Sequence, residues 1–442
     1  MGASKSPPPK RKSTTLRHLF DLDSVDASVM LPPPPEPRTS SELLSSISAC
    51  SAAVFTFTDP WESPTEQDLK RRQLSHILAA LRSAKGSLDD AAWPPLVAML
   101  AANLFRPLPP PAYPSLPQDL FEEDGPMMTL APDWPHLHIV YDILAAAVAG
   151  SDAKTLRRHI DRGFLRSLLA LFQSEDPRER DRLKNVYHNL YSKLAADRGF
   201  MRKQMSAVLL DHVLEADRHC GIGELLEIWG SIINGFSVPL KEEHRTFLAR
   251  VLLPLHKPKP IAAYHRQLSY CVTQFVQKDA ALGEVVVRGI LRHWPVTNCQ
   301  KEVLLLGEIE DLVESLEGND EQLEKIAVPL CARVARSSNS TNSQVAERAL
   351  YVWNSEQFVK MASQSWEQVI PGIVECVEKN LKWHWSKSVQ QLTASVKKML
   401  QEMEPELYAR FLMELEHKES LMVEEERKRK MRWENLEMAA KM

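Results

Sequence analysis

With 442 residues, 44% hydrophobic and 25% charged, the chain has globular composition and length for one elongated domain or two or three compact ones. Its 54 basic and 58 acidic residues leave a formal net charge of -4, so no overall field draws it to nucleic acid. No window reaches the roughly 18 consecutive apolar residues of a membrane-spanning helix. The six cysteines, Cys50, Cys220, Cys271, Cys299, Cys331 and Cys376, lie far apart with no CxxC pair. That argues against a disulfide framework or a zinc cluster, and for a reducing compartment, cytoplasmic or nuclear.

In chain order, residues 1–45 combine PPPKRKSTT, a short helical pattern at Leu16 to Leu22 and LPPPPEPRTS. These cannot bury enough apolar surface to offset the entropy of ordering, so a disordered tail is expected. Its first residues fit the M-G-x-x-x-[ST] acylation pattern, with Gly2 as acceptor. A single myristoyl chain binds membranes marginally, and Lys10-Arg11-Lys12 would supply the second signal for peripheral membrane association. The same PPPKRK also reads as a nuclear-import element or a solubilising tail. AAVFTFTDP is the one strand-like run, and it ends at Pro60.

Of the 30 prolines, 21 precede His138 and nine follow it, so the body is expected to be mostly uninterrupted secondary structure. Phe164, Leu165, Leu168, Leu169 and Phe172 mark one helix; Leu183, Val186, Tyr187, Leu190 and Leu194 a second; Val208, Leu209 and Val213 a third. Breaks at Pro177, Gly199, Gly221, Pro239, Pro258, Pro295, Gly318 and Asn339 recur at intervals of very roughly 20 residues, and helix pairs of about 40 match a HEAT-type repeat. The expected fold is all-α: a right-handed superhelical solenoid of HEAT-like helical hairpins over residues 46–430. A short tail, 431–442, follows the charged segment EEERKRKMRWENLE, read as a solvated helix.

The run Ser174 to His244 carries a second stripe. Lys184, His188, Tyr191 and Ala195 lie about 100° around the helix from Val186, Tyr187 and Leu190. Glu224, Ile228 and Ile232 share a face further on, and Lys241 and His244 stand close together after Pro239. Converging cationic, aromatic and branched apolar side chains suit a peptide with apolar anchors and an acid. No Walker loop, HExxH, GxSxG, kinase signature or metallophosphatase motif occurs, so neither catalysis nor a cofactor is expected.

The segments TFTDPWESPTEQDLKRRQLSHIL, WPHLHIVYDIL, FQSEDPRERDRLKNVYHNLY, GIGELLEIWGSIINGFSVPLKEEH, VLLPLHKPKPIAAYHRQLSYCVTQF and SQVAERALYVWN resemble the B-prime family of protein phosphatase 2A regulatory subunits. The resemblance runs from about Phe55 to Arg427, and the Pro-rich tail ending in LRHLFDLD looks like the plant branch. It implies a non-catalytic subunit that joins a scaffold subunit and a catalytic subunit in a heterotrimer. Such a subunit selects substrates through LxxIxE motifs held in a groove, with SEDPRER and VPLKEEH as contributors to subunit contacts. The groove residues it implies are His188, Tyr191, Arg198, Glu227, Ile228, Ile232, Lys241 and His244. Asn189 stands where the family mostly carries arginine, Trp229 replaces a smaller aliphatic residue, and Asp197 adds an acid beside Arg198. Weaker or altered motif binding is therefore expected. The other reading is a free-standing HEAT-repeat adaptor that binds peptides without a phosphatase, suggested by the divergent groove and the Ala-rich ILAAAVAG.

Overall fold

The computed structural model describes residues 40–55, 63–83, 88–108, 131–215 and 219–441; their regular structure is all helical, with no strand among them. They divide into two units, 1–232 and 233–442, each taken by itself. The first holds α1 (Ser40–Ala52), α2 (Pro64–Ser83), α3 (Trp93–Leu104), α4 (Trp134–Gly150), α5 (Ala153–His159), α6 (Arg162–Ala170), α7 (Pro177–Lys193) and α8 (Arg198–Glu215), and ends within α9 (Ile222–Asn234). The second holds α10 (Glu242–Phe247), α11 (His265–Lys278), α12 (Gly283–Arg292), α13 (Cys299–Ser315), α14 (Asp320–Ser338), α15 (Ser343–Tyr351), α16 (Glu356–Ser363), α17 (Trp366–Trp383), α18 (Lys387–Met403) and α19 (Pro405–Ala440).

Helix starts follow from local chemistry. Prolines sit in the first turns of α3, α4, α7 and α19, where no intrahelical donor is lost. Asp161 accepts from Phe164 N at 2.7 Å, Asp176 from Arg178 N at 2.9 Å and Asn298 from Lys301 N at 3.0 Å, each satisfying an N-terminal donor.

Packing has the two-row pattern of stacked hairpins. In the second unit α11, α13, α15 and α18 form one row, each on the next, and α12, α14, α17 and α19 form the other. In the first unit α2 packs on α4 and α4 on α7, with α1 against α2 and α3. Each hairpin buries its apolar face only against its neighbours. The predicted stripe Leu183, Val186, Tyr187, Leu190 and Leu194 is buried throughout, and Tyr187 meets Phe172 edge-on with ring centroids 5.9 Å apart. Four cysteines, Cys50, Cys271, Cys331 and Cys376, are buried; Cys220 and Cys299 are half-buried; all six are free thiols.

Several boundaries fall elsewhere than the sequence suggests. Helix α1 crosses the border drawn at residue 45, because Ile47 and Cys50 are buried where it packs on α2 and α3. The C-terminal helix runs unbroken to Ala440, across the border drawn at 431, since it is rich in helix formers and in charge pairs three or four residues apart, Lys441 with Glu437 among them. Gly199 lies in the first turn of α8 instead of breaking a helix; the chain turns at the 3-10 segment Ala195–Asp197. Pro329 and Pro371 lie inside α14 and α17. Of AAVFTFTDP, Ala52 ends α1, residues 53–55 carry no regular structure, and residues 56–60 lie outside the described residues, as do Gly2 and the pattern at Leu16 to Leu22.

Candidate functional site

The site in the first unit is built on α7, α8 and α9, and a buried polar network fixes the start of α7. Glu179, with no exposed surface, receives both terminal nitrogens of Arg106 at 2.8 and 2.9 Å, the Tyr141 hydroxyl at 2.9 Å and the Ser174 hydroxyl at 2.6 Å. Burial and the neighbouring carboxylate push the Tyr141 phenol well above its ordinary range. Arg106 also reaches Asp133 at 2.8 Å, and Asp176 accepts from Ala131 N at 2.9 Å. The polar turn SEDPRER thus faces inward: Ser174, Asp176 and Glu179 are all buried. Those three residues brace the stack, while Arg178 of the same turn is exposed.

Two ion pairs tie α7 to α9. Arg180 Nε donates to Glu224 at 2.8 Å, and Lys184 Nζ lies 2.7 Å from Glu227 and 2.8 Å from Asp181. Burial opposes the Lys184 charge, but the hydrogen bonds to Asp181 and Glu227 outweigh it and raise the pKa. Of the stripe expected along α7, Lys184 is therefore inside, and Glu227 is engaged with it.

Tyr191 is the centre of what remains. Its ring lies beneath the Arg198 guanidinium, 5.5 Å from centroid to carbon, and its hydroxyl accepts from Arg202 Nη1 at 3.1 Å. Arg198 itself donates to the Tyr191 and Ser192 carbonyls at 3.0 and 2.6 Å, capping the end of α7. A phenol that accepts from Arg202 keeps its own proton to donate, so two guanidiniums and an O–H gather around one ring, Arg198 over its face and Arg202 at its hydroxyl, groups of the kind a carboxylate accepts from. Arg202 went unremarked in the sequence because nothing in its neighbourhood sets it apart from other basic helix residues; only its spacing of 11 from Tyr191 relates them.

His188, about one turn before Tyr191, is half-buried, and that burial lowers its pKa. Asn189 is exposed. Ile228 and Ile232 are buried on α9 with Trp229 between them. Asp197 does not confront Arg198: its carboxylate accepts from Arg162 Nε at 2.9 Å, with Arg157 at 4.0 Å.

Lys241 and His244 belong to the second unit. Lys241 is exposed at the N-cap of α10. The His244 ring is buried and stacks on Phe236 with centroids 3.7 Å apart and planes 3° from parallel, while Phe236 meets Phe275 edge-on. Lys278 holds the end of α9 there, donating to the Asn234 and Phe236 carbonyls at 3.0 Å each.

Rows of stacked helical hairpins, with a tyrosine framed by two arginines on one of them, define a helical-repeat protein. The family model for the protein phosphatase 2A regulatory B subunit (B56 family) matches residues 28–440, and the chain belongs to that family. It is 44% identical to the B' alpha isoform of the 57 kDa regulatory subunit of serine/threonine protein phosphatase 2A from Arabidopsis thaliana, over 87% of this chain and 78% of that protein. It is 40% identical to the B' kappa isoform from the same plant, over 100% of this chain and 87% of that protein. The B' kappa isoform of Oryza sativa subsp. japonica is also 40% identical, over 98% and 84%. These relatives are regulatory subunits, not catalytic ones.

Proposed function

We propose that the chain is a targeting subunit of protein phosphatase 2A that assembles with the scaffold and catalytic subunits. It holds substrates by LxxIxE-type motifs, so that their phosphorylated residues meet the active site of the catalytic chain at raised local concentration. The observation that carries this reading is Tyr191 between Arg198 and Arg202, with His188 about one turn before it on α7. Arginines and a phenol supply the donors an acidic motif residue needs, and charge-assisted contacts of this kind are worth about 1.5–3 kcal/mol when well formed. We place its work in the cytoplasm, the nucleus or both.

The test is fluorescence polarisation of a labelled LxxIxE peptide on the full chain, beside His188→Ala and Arg202→Gln. Saturable binding that either substitution weakens at least tenfold supports the groove. Unchanged binding in both would move substrate selection to another surface. Co-purification with scaffold and catalytic subunits tests the assembly, and its failure would favour the free-standing adaptor.

A further inference from the structure

Among the described residues, helix α19 is anchored to the second unit in its first half. Tyr408 is buried and donates to Glu378 at 2.9 Å, and Lys382 pairs with Glu419 at 3.0 Å. From Ser420 to Ala440 the helix continues for about 30 Å at its usual rise, and residues 425–441 are all exposed. Pairs such as Arg427 with Glu424 at 3.0 Å and Arg429 with Glu426 at 3.2 Å support the helix locally. They do not account for its apolar side chains: Leu421, Met422, Trp433 and Leu436 are 55%, 64%, 68% and 61% exposed. Side chains of that size left in water point to a covering partner.

The sequence about Arg427 says which partner fits. It reads LMV, EEE, Arg427, KRK, MRW: three acids before the arginine, three bases after it, and apolar residues outside each block. Charge is antisymmetric about Arg427, and apolar character is nearly symmetric. When a second copy lies antiparallel with its Arg427 level with the first, Glu425 meets Arg429 of the other copy twice, and Leu421 meets Trp433 twice. At 100° per residue, Leu421, Met422, Glu425, Arg429, Trp433 and Leu436 fall within an arc of about 120°. Arg427 falls on the opposite side, so its two copies do not collide. A lipid surface fits less well, because residues 420–441 hold six basic and five acidic side chains and have almost no net charge to attract anionic headgroups.

The geometry points to α19 as a self-association element: its exposed half pairs with that of a second copy of this chain as an antiparallel two-helix coil centred on Arg427. The contact is isologous, so one set of residues supplies both sides and the assembly closes at two.

Sedimentation equilibrium of the full chain tests this. The wild-type chain is expected to show reversible dimer formation, and Trp433→Glu to abolish it. Glu425→Lys and Arg429→Glu should each weaken it roughly tenfold by setting like charges opposite one another. Mixed in equal amounts, the two variants should associate as the wild type does, because the new lysine of one then faces the new glutamate of the other. Each keeps its own disturbed helix in the mixture, so recovery reports the contact between copies and not helix content. A wild-type chain that stays monomeric at its highest soluble concentration overturns the proposal, as does a mixture that recovers nothing.

Discussion

Lys184 Nζ, in the middle of α7, lies 2.7 Å from the carboxylate of Glu227 on α9, with 6% of the lysine side chain and 13% of the glutamate side chain exposed. With Arg180 and Glu224, this contact ties together two of the three helices that carry the candidate site. Removing one partner of a buried pair costs about 3–5 kcal/mol, because the other charge is left without compensation. Lys184→Met is expected near the lower end, about 3 kcal/mol, since the Glu227 carboxylate keeps some contact with water. Glu227→Gln retains a hydrogen-bond acceptor and should lose about 1 kcal/mol. Urea denaturation of the three proteins measures the difference; equal stabilities would make the tie a surface pair.

Two glycines at helix starts should behave in opposite ways. A Cβ on Gly221 would lie 2.4 Å from the Phe172 carbonyl oxygen and 2.8 Å from the Phe172 Cβ, whereas one on Gly199 meets nothing within 4 Å. Gly221→Ala must therefore displace backbone and should destabilise by about 2 kcal/mol or more. Gly199→Ala, in the first turn of α8, should be neutral or gain up to about 1 kcal/mol. Thermal melts of both variants give the sign directly.

Acid sensitivity is expected from the second unit. Glu308 is fully buried, with His256 Nε2 at 3.1 and 3.2 Å from its two oxygens and His265 Nε2 at 2.9 Å. Burial alone would raise its pKa, but the two histidines hold it well below the usual carboxylate range. A carboxyl depressed on folding adds stability above its unfolded pKa of about 4.3, and that stability drains away as pH falls below this value. The urea midpoint of the wild type should therefore fall with pH below about 4 more steeply than that of Glu308→Gln. Parallel curves would show that the cluster does not titrate on unfolding.

Asn189 and Asp197 separate binding from stability. Asn189 is exposed, so Asn189→Arg should tighten an acidic LxxIxE peptide by the roughly two- to fivefold that an exposed charge contact gives. Asp197 is taken up by Arg162, so Asp197→Ala should cost about 1 kcal/mol of stability. Peptide affinity should change by less than about threefold in that variant. Tighter peptide binding by Asp197→Ala would restore the view of this acid as a repulsive element in the groove.

The helical class and most core faces were legible because apolar spacing reports burial directly: Leu183, Val186, Tyr187 and Leu190 all lie inside. Polar residues were harder to read. Lys184 shares the spacing of His188 and Tyr191, yet it is buried, because Glu227 and Asp181 compensate a charge that spacing alone would send outward. Asp197 looked like a neighbour of Arg198 in sequence, but its partner is Arg162, 35 positions earlier. Arg202 could not be singled out at all, since its contact with Tyr191 spans two helices. Such pairings depend on tertiary geometry, which no local pattern encodes.

The thiols give the stack its own set of clocks. Cys50 sits on α1, Cys271 on α11, Cys331 on α14 and Cys376 on α17, all buried. Burial pushes Cys50 up to about 11, Cys376 up to about 12 and Cys331 higher still. Because the thiolate is the reactive form, each stays silent until its own helix opens to water. Timed alkylation followed by peptide mapping would therefore date the opening of four separate stretches in one unmodified chain, and show whether the hairpins come apart together or in turn.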